Sequence, residues 1–549
     1  MSIFTDIFIK PPRRSKQVLD HPVFTTTDFG KIIPILVEDV VPGDVFKVKT
    51  AAEIKLFPTL APMKQGIEAR IDYFFVPNRL LWKDWQEFIT GGDDGTAAPV
   101  KPFLDGTQNT EIGSLFDYMG LAPTIDEGAR GNEYLLEPAF GEGSTPIDAM
   151  PFRAYEMIYR EFYRDENLQE EDEILLTGGA DDTSYDLRYR GFKKDYFTSA
   201  LPWTQRGPQV TVPLNGSAPV TGEIHGSTDP NSFYLRENLP FAESQYDIGI
   251  IGNSNGQGEM RTKSPSGLGA ETIHHSHYFD ITESPDPSEH NIDLHADLSE
   301  ASGISINELR RLNSVQKWLE RNARAGGRYI EQILSHFGVR TPDYRLDRPE
   351  YIGGAKQVIG MAEILQTSET ANSPQGSRAG VGFGNMLASS KKYRIDEHGW
   401  ILGLMSIIPT QNIYCDGFQR KWTRKTKFDY YFPEFQNLGE QAIKSHEIYA
   451  YDQGHRDDDF GYTPRYAEYR YHPGVVTGRM RTSMAYWHMA RLFNARPTLS
   501  ADFINTYASI DDFDRLFPTD ESLGDRFVVY MQHFERMKRP MQKNPNPSL

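Results

Sequence analysis

Residues 420–427 read RKWTRKTK, five positive charges in eight positions with no acid among them. Arg420, Lys421, Arg424, Lys425 and Lys427 can neutralise phosphates, and Trp422 between them offers a face on which an unpaired base stacks. If the stretch is a strand, alternation sends Lys421, Thr423 and Lys425 to one side and Arg420, Trp422 and Arg424 to the other. Single-strand nucleic-acid binding is one reading. The plainer one has these aromatics packing a core or a subunit contact. YTPRYAEYRYHPG has the same flavour through Arg465, Tyr466, Tyr469 and Arg470. More cations collect at the chain ends: Lys10, Arg13, Arg14 and Lys16 at one, Arg536, Lys538, Arg539 and Lys543 at the other.

Other chemistry is sparse. His274, His275 and His277 in IHHSHYFD include an H-x-H pair suited to a metal, but no third ligand stands at short spacing, so a surface loop is the reading. Five carboxylates fall within 166–173, which suit Ca²⁺ in principle and read more simply as a solvated acidic loop. The glycine-rich GVGFG (380–384) and GNSNGQG neither follow a clean strand nor open a helix, as phosphate cradles do, and read as flexible loops. There is no G-x-S-x-G elbow, P-loop or H-E-x-x-H. The sequence therefore nominates no catalytic residue, no metal ligand set and no cofactor.

The elements that must position these residues are mostly strands. GKIIPILVEDVVPGDVFKVKTAAEIKL alternates apolar and polar residues around a Pro42-Gly43-Asp44 turn, and GIEARIDYFFV is a further strand. A helix over 79–89 would put Leu81, Trp85 and Phe88 on one face. Another, over 149–164, has Asp148 as N-cap and Pro151 in its first turn. Ser305 and Glu308 form a capping box for a helix ending at Gly326-Gly327, and RYIEQILSHFG is a helix stopped by Gly338. KKYRIDEHGWILGLMSIIP reads as a hairpin turning at DEHG; TKFDYYF, RYAEYRY and RFVVYMQHF read as strands. Strands at both ends of the chain must pair at long range, which a Greek-key or jelly-roll sandwich accommodates.

Composition agrees. Glycine and proline total 81 residues (46 and 35) of 549, and aromatics make 12%, a mixture of short strands and ordered loops. No apolar run reaches the length of a membrane span, which argues against membrane insertion. The single Cys415 excludes an intrachain disulfide and fits assembly inside a cell. The net charge of −18 is uneven: residues 221–300 hold fourteen Asp/Glu against three Lys/Arg. That turn-rich stretch, 215–300, reads as an acidic surface insertion, set against basic patches that face other partners.

PGDVFKVK, FFVPNRLLWKDWQEF, PFRAYEMIYREFYRDENLQ, DYFTSALPWTQRGP, RYIEQILSHFGV, RPEYIGG, DEHGWILGLMSIIP, FGYTPRYAEYRYHPGVVTG and WHMARLF stand in this order along the chain. In that order they resemble the major capsid proteins of microviruses, most closely the gokushovirus-like branch. The resemblance covers most of the chain outside 215–300. It implies a mainly β fold, an eight-stranded antiparallel jelly roll with long loop insertions carrying short helices. It also implies a structural role: identical copies forming a small T=1 icosahedral shell around circular single-stranded DNA, assembled in the bacterial cytoplasm with other virion proteins. The expected domain plan is a basic arm (1–20), the jelly roll (21–214 and 301–535), the 215–300 insertion as a threefold protrusion towards a host surface receptor, and a basic tail (536–549). On this reading Arg13, Arg14, Lys16 and 420–427 face the lumen. Phe74, Phe75, Trp82, Trp85 and Phe88 lock a loop helix to the barrel or to a neighbour. The alternative is an all-β carbohydrate-binding protein or glycoside hydrolase, since jelly rolls also serve lectins.

Overall fold

Alternating residues build one large sheet. In the computed structural model, which describes residues 13–129, 134–138, 140, 145–208, 210, 306–368, 374–518 and 524–543 and the backbone of four short strands between 220 and 296, the sheet has ten strands. These are β1 (Ser15–Val18), β2 (His21–Thr27), β3 (Ile33–Val40), β4 (Val45–Thr59), β5 (Ile67–Pro77), β6 (Glu350–Leu365), β7 (Arg378–Ser389), β8 (Tyr393–Arg394), β9 (Gly399–Pro409) and β10 (Phe527–Arg539). The order is β1-β10-β4-β7-β6-β5-β9-β3, with β2 also on β10 and β8 on β4. All the pairs are antiparallel. Eight strands have seven residues or more; β1 and β8 are short additions to that set.

The sheet curls until its ends meet. Ile35 and Val40 of β3 share one core with Val529, Met531 and Met537 of β10, and the Arg539 guanidinium donates to the Asp39 carbonyl across the gap. This is a mainly β, antiparallel jelly-roll architecture with the longest pairings between residues hundreds of positions apart.

A second core lies on the other face of β5 and β9. Helix α1 (Asn78–Leu81), α2 (Trp85–Thr90) and α3 (Met150–Ile158) contribute to it, and α3 continues as a π-helical turn, Tyr159–Tyr163. Phe74, Val76, Leu402 and Leu404 from the sheet meet Leu81, Trp82, Phe152 and Tyr155 there. At its centre Arg153 and Asp181 are both fully buried, 2.7 Å apart. Arg153 also donates to the carbonyls of Leu81 and Thr177, each at 3.0 Å, and the Tyr185 hydroxyl donates to Asp181 at 2.9 Å. Beside Thr177, Gly178 lets the chain at Val100 pass close: a Cβ there would lie 2.1 Å from the Val100 carbonyl oxygen.

Several expectations change. The helix over 79–89 is two short helices, because the chain extends at Trp82 to bury that indole completely. Asp148 does accept from the Met150 N–H at 2.9 Å, one turn position earlier than a cap on α3 requires. The DEHG hairpin does not form: β8 pairs with β4, while both edges of β9 are occupied by β5 and β3. GVGFG belongs to β7, where its glycines allow close packing; a Cβ on Gly382 would come within 2.7 Å of the Leu56 Cβ. Helices form over Ile306–Ala325 and Tyr329–Phe337, the latter capped by left-handed Gly338. Ser305 and the His274–His277 segment lie outside the described residues.

The chain divides into two units, residues 1–208 with 318–549, and residues 209–317. In the second, Val220–Ile224 pairs antiparallel with Ile292–Ala296, and Asp247–Gly252 with Gly258–Lys263.

Candidate nucleic-acid interface

The 420–427 stretch is not a strand. Arg420–Trp422 and Lys427–Asp429 are 3-10 turns, because Asp429 Oδ2 accepts the backbone N–H groups of Lys425 (2.9 Å) and Thr426 (2.7 Å) and folds the chain back. TKFDYYF is therefore a turn. RYAEYRY likewise holds a 3-10 turn, Ala467–Tyr469, entered through a left-handed Tyr466 (φ 62°).

The turns separate the cations by role. Arg420 is drawn inward, donating to the Ala442 carbonyl at 2.7 Å and pairing with buried Glu447 at 3.4 Å. Arg424 lies over the rings of Tyr430 and Tyr469, 5.0 and 4.5 Å from their centroids. Both are committed to the fold. Trp422 is 76% exposed with Lys421 over its ring at 5.5 Å, Lys427 sits over Phe428, and Lys425 is exposed. An exposed indole with Lys421, Lys425 and Lys427 beside it keeps the composition of a base-stacking site, with three of the five charges counted from the sequence, and Lys425 lies 3.8 Å from Asp457.

A second surface was not visible as a site in the sequence. The two basic chain ends are adjacent strands: Lys16 pairs with Lys538 and Val18 with Arg536, while Arg13 and Arg14 precede β1, exposed. Registers then carry the charge inward along the sheet, with Arg536 opposite Lys47 and Phe534 opposite Lys49. On β4 and β10, inward residues (Phe46, Val48, Ile54; Met531, Met537) fill the barrel, so Lys47, Lys49, Lys55, Tyr530, Phe534 and Lys538 lie on the other face. Phe24 of β2, 78% exposed, packs on Tyr530 with centroids 4.8 Å apart; Phe383 and Leu387 extend the face onto β7. Lys55 pairs with Glu53 and Arg536 with Asp20. Among the described residues Lys16, Lys47, Lys49 and Lys538 have no ion-pair partner. The signal was there in the parity of VFKVK and VVYMQHFERMK, where the outward positions include Lys47, Lys49, Tyr530, Phe534, Arg536 and Lys538.

The five expected anchors divide by depth. Phe74 and Phe75 sit on opposite faces of β5, one in each core, and Trp82 is fully buried. Trp85 is half-buried, 5.6 Å from the His398 ring, and Phe88 is exposed at the rim, 5.1 Å from Trp82. The acidic run 166–173 is tied up by arginines: Glu166 with Arg206, Glu171 with Arg160 and Arg164, Asp172 with Arg188.

Comparison with known proteins adds identity to this geometry. A family model described as capsid protein (F protein) matches residues 9–548. Capsid protein VP1 of Chlamydia phage 1 is 31% identical over 565 residues, covering 92% of each chain. Capsid protein VP1 of Bdellovibrio phage phiMH2K is 34% identical, covering 91% of this chain and 89% of its own. Capsid protein VP1 of Spiroplasma virus 4 is 29% identical with the same coverage. Matched along nearly its whole length, the chain belongs to the microvirus capsid protein (F protein) family.

Proposed function

We propose that this capsid protein assembles as a T=1 icosahedral shell around circular single-stranded DNA, and that the outward face of β10, β4 and β7 lines the lumen and holds that DNA. The single observation that carries the DNA reading is the face itself: Lys16, Lys47, Lys49 and Lys538 interleaved with Phe24, Tyr530, Phe534 and Phe383 on one exposed side of the sheet. Cations track a backbone, and aromatic faces stack bases of any sequence. The exposed turn at Lys421, Trp422, Lys425 and Lys427 is a second contact of the same kind, and Arg13 and Arg14 extend the first. Other virion proteins share the particle. In this reading the chain performs no turnover, and it is made and assembled in the host cytoplasm. Its acidic 215–300 segment stands outside as the host-contacting protrusion, where repulsion keeps it from DNA. No helix among the described residues is long and apolar enough to cross a membrane. The carbohydrate-binding or glycosidase alternative has no support, since the reported relatives are all capsid proteins.

The test is electron microscopy of particles from the expressed chain, with nuclease-protected DNA quantified, and binding of single-stranded oligonucleotides to dissociated subunits over a salt series. Replacing Lys16, Lys47, Lys49 and Lys538 by Gln should reduce the slope of log affinity against log salt by up to about 3, at about 0.7 per lost phosphate contact. An unchanged slope and unchanged packaging would remove the face from the DNA path.

A further inference from the structure

The order of strands leaves a seam. β3 lies at one end, and β10, with β1 and β2 beside it, at the other; no strand ladder joins them. Side chains cross the seam instead. His21 from β2, Glu38 from β3 and Glu535 from β10 each bring one donor atom within 4.8 Å of the other two. Glu535 is fully buried, and no N–H or hydroxyl donor among the described residues reaches either of its carboxylate oxygens, which meet the Glu38 carboxyl instead. A buried carboxylate in that condition is costly unless something positive meets it. Its neighbour across the seam is another acid, Glu38. Such a pair is relieved by a shared proton or by a cation.

The surroundings favour the cation. His21 Nδ1–H donates to the Leu19 carbonyl at 2.9 Å, which leaves Nε2 with its lone pair free, the tautomer that metal-binding histidines adopt. The same short stretch is pinned to β10: the Leu19 N–H donates to the Glu535 carbonyl at 3.2 Å, and Asp20 Oδ1 accepts the Glu535 N–H at 2.9 Å. The His533 ring lies 4.9 Å from that of His21, and its Nδ1 is taken by the Thr50 hydroxyl at 2.8 Å. Among the described residues, the nearby arginines are bound to other acceptors. Arg539 is held by Asp44 at 3.1 Å and by the Asp39 carbonyl, and Arg536 is held by Asp20.

We infer that His21, Glu38 and Glu535 bind one divalent first-row cation, Zn²⁺ or Mn²⁺, which clamps the barrel where no backbone ladder closes it. One imidazole nitrogen with two carboxylates matches those ions; Ca²⁺ prefers oxygen donors alone, and no thiolate is present to select a softer metal. At bonds of about 2.1 Å, three donors on a tetrahedral ion lie about 3.4 Å from one another, so closing on the ion takes a contraction of up to about 1.4 Å between donor pairs.

The experiment strips the purified full-length protein with a chelator, then titrates Zn²⁺, Mn²⁺ or Ca²⁺ alone, measuring bound metal per chain by mass spectrometry and the unfolding temperature. Wild type, Glu535→Gln and His21→Gln are compared, so that sites elsewhere, such as His274–His277, cancel. The expected result is one Zn²⁺ or Mn²⁺ per chain fewer in each variant, with loss of the rise in unfolding temperature which that ion gives the wild type. His21 lies nearer the surface than Glu535, so His21→Gln carries the comparison if Glu535→Gln fails to fold. Equal metal content in all folded proteins, or a site that takes Ca²⁺ in preference, would overturn the inference and leave the two acids sharing a proton.

Discussion

β5 and β4 are neighbours in sequence and members of one sheet, yet they are built by opposite rules. β5 (IEARIDYFFVP) is buried at nearly every position, because one face fills the barrel and the other meets α1 and α3. β4 (VFKVKTAAEIKLFPT) alternates, with its inward residues buried and its lysines out. β9 follows β5 and β10 follows β4. What differs is whether anything among the described residues covers the second face. Where a layer of helices does, the strand is continuously apolar; where none among the described residues does, core residues alternate with outward positions that include lysines and aromatic rings.

The covered side gives the largest expected effects. Arg153→Ala leaves Asp181 charged and buried without its partner, and should cost about 3–5 kcal/mol in urea unfolding of the subunit. Trp82→Ala, deleting an indole packed on every side, should cost about 3–5 kcal/mol as well. Trp85→Ala, at the half-buried rim, should cost clearly less. If the two tryptophan variants proved equally destabilised, the division of that corner into core and rim would be wrong.

The seam should show in the pH dependence of stability. Glu535 titrates near 8 in the folded protein, against about 4.3 when unfolded. Between those values the folded state holds the extra proton, so this group's contribution is full at low pH and is lost as pH rises through about 8. Chelated wild type should therefore lose stability from pH 5 to pH 8 relative to Glu535→Gln, whose side chain does not titrate. Raised acids away from the seam, such as Glu156 at about 7, act in both proteins and drop out of the difference.

How much of this was legible follows from range. Alternation is local, so β3, β4, β5 and β10 could be read from the sequence, and so could α3 from its aromatic spacing and Pro151. The RKWTRKTK turns could not, because Asp429 and the rings of Tyr430 and Tyr469 decide them, and a run of cations carries no information about where such partners lie. The Arg153–Asp181 pair and the His21–Glu38–Glu535 cluster join residues whose proximity only the folded sheet creates. The bare face was half legible: the outward parity was readable, but that the first and last strands lie side by side was not.

The smallest effect on the subunit should come from the bare face, and that is what makes it diagnostic. Phe24 is 78% exposed and touches Tyr530 alone among the aromatic rings described, so Phe24→Ser removes almost no packing and should change subunit stability by no more than about 0.5 kcal/mol. If the face stacks bases, the same change should weaken single-stranded oligonucleotide binding by about 1–3 kcal/mol while leaving the salt slope untouched, since no charge is lost. Lysine replacements on that face should do the reverse, flattening the slope. A Phe24→Ser protein that binds DNA normally but no longer forms particles would instead assign the face to contacts between copies, and the comparison of β4 with β5 would then concern two kinds of protein partner.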